Sequence, residues 1–395
     1  MPQQQPPIVI VGAGIGGLAL ALALCHRGIA SVVLEARESP DVAGAGIQLG
    51  PNATRVLAEL GVAEGLAAHV SIPEALVVRS GATARTLATL PLGSWIAQRH
   101  GSPYWVLHRR DLHSALLDAA QRAGIEVRYD CRVTGWHQSK ADRLVVEIAD
   151  CRDLAADCIV GADGLWSSVR RNLHPDHLKA YSGQCAVRAV IARRVVPEPL
   201  NGAAVGVWFS PSGHLVHYPV SGGREVAIVL VTKREEPGHG WGHPLSSEAV
   251  AQTLAEVAPA LPVEFVHDAD WRQWALFNPP ALESFHSGRI ALLGDAAHPI
   301  LPFLAQGGAL ALEDAVVLAH QLTDMGSPIE KRLLAYSKSR VARCREVQSA
   351  ARANGRIYHL AWPASAARDA VLRAAPPQQL MSRYDWLYGW KPPSP

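Results

Sequence analysis

The stretch Ile8–Glu35, IVIVGAGIGGLALALALCHRGIASVVLE, constrains this chain more than any other. A four-residue apolar run leads into a glycine cluster, then a helix of small residues, then a second apolar run (Ser31 to Leu34) ending in an acid. Gly12, Gly14 and Gly17 have the G-x-G-x-x-G spacing directly after the expected strand Ile8–Val11. In such a unit the first glycine makes the tight turn, the second lets backbone approach a pyrophosphate, and the third lets helix pack on strand. The anion sits on the free N–H groups of the helix N-terminus. Glu35 stands where a carboxylate accepts from an adenosine 2′-OH, which favours FAD or NAD over a 2′-phosphorylated nucleotide. The run is apolar enough to resemble a signal peptide or a membrane span. It lacks a basic leader and a cleavage site, however, and holds four glycines in positions 12–17, so a soluble βαβ unit is expected.

At 395 residues the chain has room for two domains. Its 49% hydrophobic and 18% charged residues are those of a globular protein, and a net charge of +2 points to neither nucleic acid nor a membrane surface. The six cysteines form no C-x-x-C pair, which fits free thiols in a reducing, cytoplasmic setting. The closest histidine pairs, His174/His177 and His239/His243, have no further ligands nearby in sequence, so no metal site is expected.

The periodicity predicts helices over about 51–60, 108–124, 165–171, 246–257 and 260–268, and from 329 to about 353; residues 74–100 read as strand-like and irregular. From about 186 to 232 apolar runs alternate with glycine-containing turns, as in an antiparallel sheet. The expected fold is α/β: a Rossmann-like dinucleotide domain from 1–72, 101–176 and 278–355, an inserted, mainly antiparallel β-sheet substrate domain from 73–100 and 177–277, and a C-terminal segment, 356–395. Only one dinucleotide fingerprint is visible, so a single tightly held nucleotide is expected. The aromatic tail suits a homodimer interface.

Three further segments carry a family resemblance. Arg289–Pro299, RIALLGDAAHP, resembles the GD motif of the FAD-dependent aromatic hydroxylases, the group A flavoprotein monooxygenases. Gly161-Ala162-Asp163-Gly164, with Ser167, Ser168 and Arg170 after it, is similar to their DG motif, and His108–Leu112 to their HR-x-DL segment. The resemblance covers essentially the whole chain and implies a p-hydroxybenzoate hydroxylase-like fold. It also implies FAD held by Gly12, Gly14, Gly17, Glu35, Gln48, Arg109, Asp163, Gly164, Gly294, Asp295, Pro299, Gly307 and Gly308, with Gln306, facing the isoalloxazine ring, as a catalytic candidate. Asp295 suits a ribityl acceptor and equally a helix N-cap. Asp163 suits cofactor binding and equally a cap for the helix at 165–171; Arg109 suits a phosphate fork and equally an exposed helix start. Gly44–Ala53, His214–Pro219 and Tyr384–Gly389 look most like 3-hydroxybenzoate 6-hydroxylases, with salicylate hydroxylases and 6-hydroxynicotinate 3-monooxygenases nearby. In the last group a His stands where this chain has Gln48.

The implied activity is hydroxylation of a small phenolic acid with NAD(P)H and O2, by way of a flavin C4a-hydroperoxide. An N-heteroaromatic substrate (a hydroxynicotinate, quinolone or phenazine) and a non-catalytic flavin redox sensor are the alternatives. His214 and Tyr218, four residues apart on an expected strand, share one face, with His217 on the other. That face suits a phenol-deprotonating pocket floor, and it equally suits ordinary sheet packing.

Overall fold

The computed structural model describes residues 6–40, 45–139, 143–177, 180–238 and 242–393. Gly44 of the Gly44–Ala53 segment and His239 of the His239/His243 pair lie outside them. The βαβ start forms as its sequence dictates. Strand Ile8–Val11 is wholly buried, and every residue from Ile15 to Leu24 of the helix Ile15–Cys25 is buried. A helix apolar on all sides must be covered on all sides. It lies under the sheet and packs against the helices Arg109–Arg122 and Gly307–Leu322. Each of its leucines, 18, 20, 22 and 24, is almost fully enclosed, a burial that stabilises by about 1.5–3 kcal/mol per side chain.

Strand Ile8–Val11 is central in a six-stranded sheet, between Ser31–Leu34 and Cys158–Gly161. Glu126–Arg128 extends one side; Ile290–Leu292 and the short antiparallel His286–Ser287 extend the other. Strand order reverses at Ile8–Val11, so a crevice opens at its carboxyl end, where the glycine turn stands.

Facing that crevice is an eight-stranded sheet in the order His243–Pro244, Arg272–Phe277, Tyr181–Ala192, Glu225–Lys233, Gly213–Val220, Val205–Ser210, Ala75–Ser80, Thr86–Pro91. Its ladders are antiparallel except between Val205–Ser210 and Ala75–Ser80. Period two divides its side chains between two environments. Val187, Ala189, Leu215, Ile228 and Leu230 enter a core with Trp208, closed by the helix Ser247–Val257. Arg188, His214, Val216, Tyr218, Val229 and Val231 face the crevice instead.

The structure departs from the sequence expectations at four places. Residues 93–100 form a helix, Gly93–His100, which buries Ile96 and ends at Gly101 in the left-handed region (φ 72°); the basic pair Arg99-His100 before that glycine was the available signal. Of 260–268 only a 3₁₀ segment, Glu264–Asp268, forms. The C-terminal segment is largely helical (Ala364–Ala374, Pro377–Ser382, Asp385–Tyr388), and Tyr388 packs edge-on to Tyr104 in the same chain. The long helix runs Ile329–Tyr358, past Gly355. That glycine is no stop signal: a Cβ there would lie 2.5 Å from the Phe303 ring, so its bareness serves packing.

Candidate active site

The fingerprint glycines do three different things. Gly12 adopts φ +107°, and a Cβ on it would meet the Ala162 carbonyl at 2.6 Å; a Cβ on Gly17 would meet the Gly12 carbonyl at 2.0 Å. Gly14 has nothing within 4 Å on its bare side and borders the cleft. Turn, packing and open approach are therefore separately visible. Glu35 sits beside this turn, its Oε2 accepting from the Ala13 N–H at 2.9 Å and its Oε1 from the Arg37 N–H at 3.1 Å.

The cleft between the two layers has a volume of about 330 Å³, within the range of small-ligand sites. Its dinucleotide wall carries Gly14, Gln48, Arg109, Gly164, Gly294, Asp295, Gln306, Gly307 and Gly308. Asp295 is exposed and caps no helix; its own carbonyl accepts from the Arg170 guanidinium at 3.0 Å. Its carboxylate is thus left to a ligand rather than to a cap. Asp163 does cap: its Oδ2 accepts from the Ser168 amide (2.7 Å), the Ser168 hydroxyl (2.9 Å) and the Val169 amide (3.2 Å), while Oδ1 is buried without a partner. Arg109 is the exposed first residue of its helix and borders the cleft. Gln48 accepts from the Tyr104 hydroxyl at 2.7 Å. Pro299 stands behind the wall, its carbonyl accepting from Gln348 at 2.9 Å, while Ile300 and Pro302 reach the surface. Gly12, Gly17, Glu35 and Asp163 shape the turns without bordering this cleft.

A buried ionic network supports that wall from behind. Asp314 accepts from the Gly294 amide (3.0 Å), from His298 Nε2 (2.5 Å) and from Arg340 Nε (2.6 Å). Glu313 accepts from Arg340 (2.8 Å), Arg343 (3.0 Å) and Asn52 (2.8 Å), and Asn52 also donates to Gln306 Oε1 at 2.9 Å. Burial alone would raise the Asp314 carboxyl, but the His298 and Arg340 charges, with hydrogen bonds from His298 and Gly294, hold it down at about 2. His298, Asp314 and Cys344 are close enough to surround an ion. The Arg340 guanidinium on Asp314 already supplies the positive charge there, so the cluster is an ion-pair network rather than a ligand set.

The sheet wall is built otherwise. His214 is 2% exposed, and its Nδ1 lies 2.8 Å from Nε2 of His359. Burial, then the neighbouring His359, pushes its pKa well below the ordinary imidazole value. Burial drives the Tyr218 phenol up, with Arg188 opposing it. His217 lies on the opposite face, Nδ1 bonded to the Leu200 carbonyl at 2.9 Å and the ring beside Trp208. Sequence reasoning missed Arg188. Its guanidinium lies over the Trp274 ring at 5.4 Å, its Nε is buried without a partner, and among the described residues it has no ion-pair partner. The signal was present as a lone charge in the apolar run CAVRAVIA at 185–192. Leu49, Val207, Phe209 and Phe303 are core side chains behind the cleft surface.

FAD fits this wall on structural grounds: the open side of Gly14, the free Asp295 carboxylate and the forked cation of Arg109 form one continuous surface, and the Gly307–Leu322 helix begins there with its amide end. The comparisons agree. The model of a family described as "FAD binding domain" matches residues 5–351. The chain is 35% identical over 385 residues to 3-hydroxybenzoate 6-hydroxylase 1 of Aquipseudomonas alcaligenes, covering 97% of each protein. It is 33% identical to 3-amino-4-hydroxybenzoate 2-monooxygenase of Streptomyces cremeus, covering 97% of this chain and 94% of the other. Among solved structures, HpxO of Klebsiella pneumoniae complexed with FAD and uric acid superposes with a TM-score of 0.84 over 97% of this chain and 96% of that one, at 22% identity, a likeness of fold. With its fingerprint, GD and DG segments on one cleft wall and relatives matched over nearly their full lengths, the chain belongs to the FAD-binding family of FAD-dependent aromatic monooxygenases.

Proposed function

We propose that the protein hydroxylates a small phenolic carboxylic acid of the hydroxybenzoate class, consuming NAD(P)H and O2. The observation that carries this reading is the juxtaposition of Arg188, Tyr218 and His214 on one cleft wall, opposite the wall that fits FAD. FAD, when bound by Gly14, Arg109, Asp295 and the glycines at 307–308, supplies the redox and oxygen-activating chemistry. The chain's own residues do the rest. Arg188, a half-buried cation with no counter-charge among the described residues, holds the substrate carboxylate through a planar fork. Tyr218 hydrogen-bonds the phenolic oxygen, and His214, whose Nδ1 is engaged by His359, takes the phenol proton on Nε2. A phenol has a pKa near 10 and only its anion is electron-rich, so a placed base is worth about 10²–10⁴-fold in rate. Val216, Val229 and Ile47 keep water out. Tyr181–Ala192 and Gly213–Val220 hold these groups on rigid strands, with Asp163, Gly164 and Gln306 assigned to the cofactor side.

A pyridine acid is the second reading, favoured by 30% identity to a 6-hydroxynicotinate 3-monooxygenase of Pseudomonas fluorescens; the same Arg188 would serve its carboxylate. We further infer a cytoplasmic homodimer. All six cysteines are free, and the helix Ala364–Ala374 buries none of its residues within the chain while Trp362 and Val371 are exposed beside and on it. No helix among the described residues is long and apolar enough to cross a membrane. The test is NAD(P)H and O2 consumption by the yellow, FAD-loaded protein across hydroxybenzoates and hydroxypyridines, with product identified. A ring hydroxylated in step with O2 uptake is expected; NAD(P)H oxidation that no phenolic acid stimulates would sink the reading and leave the redox sensor.

A further inference from the structure

The His214–His359 pair joins two elements 145 residues apart: the strand under the cleft and the residue that caps the long helix Ile329–Tyr358. His214 borders the cleft and is enclosed; His359 is half-buried and reaches the protein surface. The pair therefore spans from the enclosed site to solvent. We propose that His359 is the second station of a proton path that runs from the cleft through His214 to water. The proposal rests on the reading that His214 takes the phenol's proton.

The surroundings explain why the proton must move on. The Phe303 and Tyr358 rings lie edge-on to His214, at 5.2 and 5.3 Å between centroids, and Phe303 also flanks His359 at 6.1 Å. The Tyr358 hydroxyl donates to the Phe303 carbonyl at 3.1 Å, which ties it outside the path. On the outer side stand Lys233, whose charge bears on His359, and Arg368, which donates to the Tyr358 carbonyl at 3.2 Å. Among the described residues neither imidazole pairs with a carboxylate. A buried imidazolium without a counter-charge is costly, so His214 accepts a proton without being able to keep it. The bonds balance as follows. The substrate O–H breaks as its proton bonds to Nε2 of His214. The Nδ1 proton of His214 passes to Nε2 of His359, and the Nδ1 proton of His359 goes to water. When the product leaves as a neutral phenol the same steps run backwards and restore the starting tautomers.

The test uses FAD-loaded enzyme without NAD(P)H, mixed rapidly with 3-hydroxy-4-nitrobenzoate at a pH where the free phenol is protonated, and follows the phenolate absorbance of the bound probe. His359→Gln and His359→Ala are expected to slow ionisation on the order of tenfold or more while leaving probe affinity nearly unchanged, with added imidazole restoring only the alanine variant. Wild-type ionisation rates in both variants would overturn the path. If neither variant holds FAD, wild type in H2O–D2O mixtures decides: a curved dependence on deuterium content, from two protons in flight, supports the path, and a straight line overturns it. A His214→Ala variant that ionises the probe at the wild-type rate would instead defeat the reading of His214 as the base, whatever His359 does.

Discussion

Two buried polar clusters support the cleft from opposite sides, and they are built on opposite principles. Behind the dinucleotide wall, Glu313 and Asp314 meet Arg340, Arg343 and His298, so that buried charge is paired with charge. On the sheet side, Arg188 has no ion-pair partner among the described residues, and His214 on its strand and His359 at the end of the long helix are imidazoles whose burial lowers their pKa. A paired network fixes a shape, because each partner left alone would be a buried charge. An unpaired, partly buried cation is a standing cost that is relieved when a ligand brings the missing charge. The first cluster holds the Gly294 amide and the Gln306 side chain in place; the second, on the proposed reading, is left open for a substrate acid.

The largest effect that would break this contrast is on stability. Arg340→Met takes one cation from each of two buried carboxylates, leaving Glu313 with Arg343 and Asp314 with His298, and should cost about 3 kcal/mol in urea unfolding, with part recovered when Asp314→Asn and Glu313→Gln are added. A loss below ~1 kcal/mol would mean that the network is not the scaffold described. Acid sharpens the comparison next. Burial lowers His217 to about 4, the Leu200 carbonyl only partly opposing it, and His359 falls to about 4 as well. A folded pKa below the unfolded value means stability that is present above about 6.5 and lost as pH falls to about 4, some 3 kcal/mol for His217 alone. Asp314, at about 2, keeps its contribution until the pH drops below about 4, then loses about 2 kcal/mol. Urea unfolding should therefore weaken first through His217 and His359; a profile flat between about pH 6.5 and about 4.5 would contradict this.

Arg188→Leu should behave oppositely to Arg340→Met. Unfolding stability holds or rises, while KM for the acid climbs about 10–100-fold, on the order of 1.4–2.8 kcal/mol. An unchanged KM would remove Arg188 from the carboxylate. A smaller effect is expected at Asp295→Ala: FAD affinity, measured by fluorescence titration, should fall by about tenfold, ~1.4 kcal/mol. Wild-type affinity there would undo the ribityl assignment. Smallest is Glu35→Ala, which should loosen FAD without changing which product forms; altered regiochemistry would place Glu35 elsewhere.

The residues alone determined the parts whose geometry is set by neighbours in the chain. The glycine turn, the helix it opens and the acid that closes the next strand lie within Ile8–Glu35, and the demand of Gly17 against the Gly12 carbonyl is local, whereas Gly12 meets Ala162 only across the sheet. The GD and DG segments were readable by family resemblance, and the shared face of His214 and Tyr218 by geometry, since a strand's period of two holds whatever the strand pairs with. Tertiary structure decided the rest. Asp163 serves as a cap and Asp295 does not, although both suited either role, because where the next helix starts is a matter of packing. The long helix reads as ending near 353, yet the Phe303 ring occupies the space a side chain at Gly355 would take, the helix continues, and His359 is carried to His214. Arg188 looked like one charge in an apolar run. Only the pairing of Tyr181–Ala192 with its neighbours turned that side chain toward the cleft, with no ion-pair partner among the described residues.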